Sequence, residues 1–315
     1  MACVLALLAL GAGCVWGARR IYVLPGPSPR PIVAVVPRGS PQQVAAALRD
    51  AGIIDRPRAF LAAVELTRGD RALHAGEFAF PAAASLEQVL TVLRTARPVQ
   101  HRVTIPEGLT AARIALLLTR VDALAGEAVL PREGEVMPQT YDFERGASAE
   151  SIVARGRLAM RRALEQAWAG RAPNLPLRDP AELLVLASIV ERETARPDER
   201  PHIAAVFLNR LRLGMRLQAD PTVIYAVSGG DGVFPRALTR ADLEWPNPYN
   251  TYTSPGLPPG PIGSPGLAAI EAVAHPAVSD DLYFVADGGG GHMFARTLEQ
   301  HQRNVARWRL HQEGG

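Results

Sequence analysis

No lysine occurs in this sequence of 315 residues, so its 34 lysine-plus-arginine cations are all arginines. A phosphate-binding P-loop needs a lysine and is excluded, and the glycine run Gly288 to Gly291 lacks that context. Alanine, proline and arginine are abundant, so the missing lysine reflects genomic base composition. Cysteine is nearly absent as well. Cys3 and Cys14 both lie in the N-terminal apolar stretch, where they cannot brace the rest of the chain with a disulfide. Cys14 follows Gly11, Ala12 and Gly13, but glycine stands where a lipoprotein cleavage site usually has leucine, so lipidation is not expected. The seven histidines are scattered and form no HExxH pair, so neither a metal nor a cofactor is expected. Clustered charge is missing too: the formal net charge is +3 and the signs alternate, which leaves no footprint for nucleic acid.

The length suffices for two domains or more. Met1 to Ala18 is almost wholly apolar and is followed by Arg19 and Arg20, which suggests a membrane anchor over residues 1–23. Pro25, Pro27, Pro29 and Pro31 then mark an extended linker, residues 24–31. A small α+β module over residues 32–98 follows. Its expected elements are a strand at Ile32 to Val36, helices at Ser40 to Ala47 and Arg58 to Leu66, a strand at Gly76 to Phe80, and a helix at Ser85 to Leu93. Residues 99–132 connect it onward through a strand at Val103 to Ile105 and a helix at Leu109 to Leu118. Glu133 to Phe143 is expected to be a loop, and Ala149 to Ala169 a helix.

The chain is organised around Ala187 to Tyr225, ASIVERETARPDERPHIAAVFLNRLRLGMRLQADPTVIY. Leu183, Leu186, Ala187 and Val190 recur at the spacing of a buried helix face, and that spacing brings Glu193 and Thr194 to the same side at the helix end. A carboxylate is costly to bury unless it is paired or its pKa shifts. Arg196, Pro197 and Asp198 interrupt, and a second helix runs from about Glu199 to Arg212. Gln218, Asp220, Pro221 and Tyr225 follow. One acid at the end of an apolar helix therefore faces a polar loop.

Ser228 to Pro265 reads as a long loop centred on Pro248-Tyr249-Asn250-Thr251-Tyr252. Loops of this length are functional or disordered, and the aromatic content of Trp245, Tyr249 and Tyr252 argues for function. Tyrosines and asparagine on a proline-stiffened loop suit sugar recognition. A helix at Leu267 to Val273, a strand at Leu282 to Ala286, a glycine turn delivering His292 and Phe294, and a helix from Thr297 to about Leu310 close the chain.

ASIVERET, VFLNRLRLGMRLQADPTVIY, YNTYTSPGLPPGPIGSPG, AVAHP, LYFVADGGGGHMF and the final EQH together resemble the endolytic murein transglycosylases of the MltG (YceG-like) family. Order and spacing match from Pro176 to Trp308. HAGEF and VTIPEGLT give a weaker match over Ile32 to Leu118, where the family carries a LysM-like module. The resemblance implies an α+β protein: a membrane anchor, a LysM-like module over residues 32–98 and a lytic-transglycosylase catalytic domain over residues 133–315. It implies a single-pass protein of the cytoplasmic (inner) membrane whose catalytic domain lies on the outer face and cuts nascent peptidoglycan glycan strands. Cell-wall synthases are candidate partners.

By position, the family's catalytic acid falls on Glu193, with Glu191 second and read as a solvated helix-end charge. Thr194, Gln218, Asp220, Tyr225, Tyr249, Asn250 and Tyr252 fall on motif positions expected to bind substrate. Three departures stand out, one of them the short apolar leader with no basic residue before it. Ala219 replaces the Ser or Thr before Asp-Pro-Thr, removing a hydroxyl close to the proposed site. Gln139 replaces the Asp of Phe-Pro-Asp-Thr-Tyr. Two other readings of the same residues are a muramidase with Asp220 or Glu191 as second carboxylate, and a non-catalytic glycan-binding scaffold.

Overall fold

The structure, a computed structural model, describes residues 10, 12–13, 16–17, 19–67, 72–127 and 129–313. Most of the expected anchor, residues 1–9, 11, 14, 15 and 18, lies outside the described residues. Among those described, no helix is long and apolar enough to cross a membrane. The chain forms two compact units, Met1–His101 with Asp142–Ala147, and Arg102–Tyr141 with Ser148–Gly315.

In the first unit β1 (Ile32–Val36) pairs antiparallel with β2 (Gly76–Phe80), Ile32 opposite Phe80 and Val36 opposite Gly76. Between them lie α1 (Pro41–Asp50) and α2 (Pro57–Leu66), and after them α3 (Leu86–Thr95). Ser40 and Ser85 start α1 and α3 with reciprocal capping boxes, using Gln43 and Gln88, the third residue of each helix, as partners. The serines expected as first helical residues are thus caps just outside the helices. Phe60, Phe78, Phe80, Leu48, Leu90 and Leu93 are fully buried and form the core.

In the next part of the chain β3 (Gln100–Thr104) pairs with β4 (Thr140–Glu144), with α4 (Ala111–Thr119) between them. The expected loop at Glu133 to Phe143 therefore ends in a strand. Its signal was a short period-two alternation: Tyr141 and Phe143 are buried, while Thr140, Asp142 and Glu144 are exposed.

The core of the second unit is built on α6 (Pro180–Glu193), against which α5 (Ala149–Gly170), α7 (Arg200–Arg212), α8 (Asp220–Val227) and α10 (Leu267–Ala274) pack. A short α9 (Arg240–Glu244) interrupts the expected loop, capped by Thr239 through a box with Asp242. β5 (Tyr283–Ala286) and β6 (His292–Ala295) form an antiparallel hairpin, and α11 (Leu298–Glu313) closes the chain. β6 was expected only as the residues after a glycine turn; four residues are too few for a clear period.

The caps can be tested directly. Ser85→Ala removes the acceptor for the Gln88 amide and should lower stability by about 1 kcal/mol. Thr91→Ala, an exposed position on the same helix, should stay within about 0.5 kcal/mol of wild type. Urea unfolding followed by far-UV circular dichroism compares the two, and equal losses would refute the capping assignment.

Candidate active site

α6 is apolar nearly all round, the pattern of a helix enclosed by others. Asp179 caps it by accepting the Glu182 amide at 2.9 Å, and Pro180 occupies the first turn, where a missing N–H costs nothing. Leu183, Leu186, Ala187, Ile189 and Val190 have no exposed surface. Ser188 is buried among them. Its hydroxyl donates to the Val185 carbonyl at 2.7 Å and accepts the Ile262 amide at 3.0 Å, which fastens the proline-rich loop to the helix.

The charged residues that end α6 diverge. Glu191 accepts from Arg200 at 2.7 Å and from the Gly266 amide at 2.8 Å, with both charged side chains almost wholly buried. Arg200 also reaches Glu107 at 3.5 Å. A Cβ at Gly266 would lie 1.8 Å from a Glu107 oxygen, so any larger residue there would make the Glu107 side chain shift. Glu191 is thus a buried strut joining α6, α7 and the start of α10, which corrects the expectation of a solvated charge. Arg192 donates to the Gly108 carbonyl at 3.1 Å and to the Gly232 carbonyl, pinning two loops.

Glu193 is different. It is partly buried, and no hydrogen bond to its carboxyl is seen among the described residues. Burial among protein atoms pushes its pKa up to about 8; the Asp220 charge adds to the rise and Arg210 opposes it. Glu193 therefore holds its proton at neutral pH and has no internal acceptor for it.

Opposite stands the turn between α7 and α8. Gln218 has φ of 51°, a left-handed conformation costly for a residue with a Cβ. Its amide donates to the Thr251 carbonyl at 3.2 Å, and its side-chain oxygen accepts from Arg210 at 3.4 Å. Asp220, exposed at the start of α8, accepts the Tyr252 hydroxyl at 2.6 Å. Burial and this bond raise the Tyr252 pKa well above that of a free phenol. Thr222 and Thr251 are buried and joined at 2.9 Å, and the Thr251 hydroxyl accepts the Ala219 amide at 3.0 Å.

Glu193, Gln218, Asp220 and Tyr252 thus come together. Tyr225 and Tyr249 form a second group, with rings 4.9 Å apart, and the Tyr225 hydroxyl donates to Glu133 at 3.1 Å. Glu133 also accepts the Ala111 amide at 2.9 Å, and burial raises its pKa.

Two expected binding residues have their polar groups engaged internally. Asn250 is fully buried, with its amide donating to the carbonyls of Asp242, Leu243 and Trp245 and its oxygen accepting the Tyr252 amide. It shapes the loop that presents Tyr252. Thr194 is buried past the end of α6, where its hydroxyl accepts the Arg196 amide at 3.0 Å and donates to Glu199 at 3.4 Å. Ala219 faces the core and is 1% exposed, so the hydroxyl missing there is missing from beneath the site. Gln139 is exposed and holds β3 through its carbonyl, which accepts the Ile105 amide at 3.1 Å.

Sequence reasoning missed Arg210 and the Glu199–His292 pair. Arg210 lies on the Ile203–Phe207 face of α7 at i, i+4, i+7 spacing, and a cation on an apolar face was a usable signal. Glu199 accepts both the His292 amide, at 3.0 Å, and its ring Nδ1–H, at 2.7 Å, tying the hairpin to the start of α7. No short-range pattern announces that pairing. Among the described residues no three His, Cys, Asp or Glu side chains are grouped to hold a metal ion.

The fold and site together define an α+β protein in which a partly exposed carboxylic acid, Glu193, stands beside a polar, tyrosine-bearing turn. More particularly, the chain belongs to the YceG-like family, whose model matches residues 33–307. It is similar to an endolytic murein transglycosylase of Bacillus subtilis, 35% identical over 173 residues, covering 55% of this chain and 47% of that protein. It is also similar to an endolytic murein transglycosylase of Streptococcus pneumoniae serotype 2, 30% identical over 318 residues, covering 86% of this chain and 57% of the relative. The chain thus spans about half the length of these curated relatives. Among solved structures, a yceG-like protein from Listeria monocytogenes superposes with a TM-score of 0.55 at 28% identity, covering 87% of this chain and 98% of that one.

The raised pKa has a consequence for stability. A carboxyl that binds its proton more tightly when folded contributes stability that is whole below its unfolded value of 4.5 and is lost as pH rises through about 8. Glu193→Gln removes that loss. Its melting temperature should match wild type near pH 4 and exceed it increasingly toward pH 8.5. A constant difference across that range would contradict a buried, protonated Glu193.

Proposed function

We propose that this protein is a lytic transglycosylase that cleaves peptidoglycan glycan strands endolytically between N-acetylmuramic acid and N-acetylglucosamine. The observation that carries the reading is Glu193, a carboxyl raised to about 8 at the end of a buried helix with no internal partner for its proton among the described residues. Family membership and the names of the relatives support it.

Protonated Glu193 donates to the glycosidic oxygen as the bond to the anomeric carbon breaks. The resulting carboxylate takes the proton of the 6-hydroxyl on the same muramic acid, and that oxygen bonds to the anomeric carbon, closing a 1,6-anhydro ring. One residue acts as acid and then as base, and no water is consumed. The attached hydroxyl needs no second reactant to be held in place. A muramidase would need a second carboxylate to activate water. Both oxygens of Glu191 are engaged, and Asp220 accepts the Tyr252 hydroxyl, so Asp220 serves in positioning. Tyr249 and Tyr225 are the sugar-stacking surface, and the module over residues 32–98 is LysM-like and binds glycan. The apolar stretch over residues 1–23 anchors the chain in the cytoplasmic membrane with the catalytic domain outside, where it works beside cell-wall synthases.

Glu193→Gln should lower cleavage of purified glycan strands by at least about a hundredfold while leaving glycan binding intact. Wild-type products should end in 1,6-anhydro-N-acetylmuramic acid, lighter by one water than hydrolytic products. Mass spectrometry showing mainly reducing-end muramic acid would instead establish a muramidase. The rate should fall as pH rises through about 8, because the acid form is consumed.

Topology is open to a separate test. A periplasm-active reporter fused after Phe143 should be active and a cytoplasm-active one silent; the opposite pattern would reverse the proposed orientation.

A further inference from the structure

Arg210 lies near the end of α7 and is only 7% exposed. Its guanidinium is held by backbone: Nε donates to the Leu282 carbonyl at 2.6 Å, and one terminal nitrogen to the carbonyls of Leu217 at 2.7 Å and Arg216 at 3.3 Å. That nitrogen also reaches the Gln218 side-chain oxygen at 3.4 Å, and the guanidinium lies 5.2 Å from the centre of the Tyr283 ring. Among the described residues no carboxylate is within ion-pair distance of it. A buried cation is normally neutralised by an acid. Here carbonyl dipoles fix its place at the Gln218 turn, and with no ion pair among the described residues its charge acts at longer range on Glu193.

We propose that Arg210 is a positioning residue for the glycan-cleaving reaction. Its buried guanidinium fixes the strained turn at Gln218 and supplies the counter-charge for the carboxylate that Glu193 becomes on giving up its proton. The inference rests on the proposed function and deepens it. An acid that has to give and then retake a proton needs opposing influences. Burial and Asp220 favour the protonated form, which arms the first step. Arg210 favours the carboxylate, which keeps the proton from being held too tightly to leave. Buried carbonyls are directional, so the charge does not swing toward the sugar, where positive charge develops in the transition state.

The other charged groups packed around α6 are committed elsewhere. Arg200 of α7 binds Glu191 and Glu107, and His202 binds Asp281 and Ser279. Glu271 of α10 faces His275, Arg157 of α5 faces Glu135 and Glu150, and Arg192 of α6 itself is spent on two carbonyls. From α8 and its loop, Asp220 acts on Glu193 and Tyr252 donates to Asp220. Among the described residues, Arg210 is thus the cation that acts against Asp220 at this acid.

The test is the pH dependence of kcat and KM on purified glycan strands for the whole chain and three variants. In Arg210→Met the alkaline limb of kcat should move up by about one pH unit, since the charge favouring ionisation is gone. Its plateau should fall by about tenfold or more. Arg210→Lys keeps the charge but loses the fork, so its limb should stay in place while KM rises as the Gln218 turn loosens. Asp220→Asn should move the limb down. A limb unmoved in Arg210→Met, or a lysine variant shifted as far as the methionine one, overturns the proposal. If Arg210→Met fails to fold by circular dichroism, the lysine variant decides: wild-type KM there overturns the positioning role. Activity surviving in Glu193→Gln is a different outcome and would overturn the functional reading itself.

Discussion

Partial enclosure of one carboxyl at the end of a helix whose middle is buried is the constraint on which the site depends. Taking a carboxylate out of water is expensive, and a chain can respond by pairing it, hydrating it or keeping it protonated. Glu191 takes the first course, held by Arg200 and the Gly266 amide. Glu193, two residues on, takes the third. The difference is geometric: two residues on a helix are separated by about 200° of rotation, so neighbouring acids look in opposite directions. An identical group is thus a strut in one place and, in the proposed reaction, the proton donor in the other.

The strut and the donor depend on each other. Glu191 and Arg200 are nearly inaccessible, and such a pair contributes little net stability because desolvation offsets the attraction. What it supplies is registration. It fixes α6, α7 and the start of α10 at one point, two residues before the helix ends. Arg192 does the same for the loops at Gly108 and Gly232. With its neighbours fixed, Glu193 is carried to its place by backbone alone, and its own carboxyl stays uncommitted. A catalytic acid held by its own hydrogen bonds would have to break them to react.

Much of this arrangement could be read from the sequence, for physical reasons that differ by element. α6 announced itself because Leu183, Leu186, Ala187 and Val190 satisfy a helical period over a long run, and all four are buried. The strand Gly76–Phe80 and the flanking helices of the first unit were equally plain, since serine caps and apolar periods agree there. Glu193, Asp220 and Tyr252 were legible as a site because polar residues interrupt apolar segments. Contacts between distant segments were not. Asn250 was expected to face substrate because asparagine on a tyrosine-rich loop suits sugars, and only the fold shows its amide spent on three carbonyls. Glu191 was expected to be solvated because Arg200 is nine residues away in sequence and its approach depends on the turn between helices. The strands Thr140–Glu144 and His292–Ala295 are too short for their period to stand out from the loops around them.

The placement of Asp220 bears most directly on which reaction the site can run. A carboxylate beside an acid can serve as a base toward water only if its lone pairs are free and a water has room between the two groups. Asp220 is exposed, and one of its oxygens accepts the Tyr252 hydroxyl at 2.6 Å, which ties the carboxylate to the loop that carries Tyr252. Its remaining influence is through charge, which holds the proton on Glu193. In the proposed reaction a second carboxylate tied in this way strengthens the hold of Glu193 on its proton and serves in positioning, and the hydroxyl carried by the substrate is the nearer nucleophile. The chemistry is decided less by which acids are present than by which of them has already been given a partner.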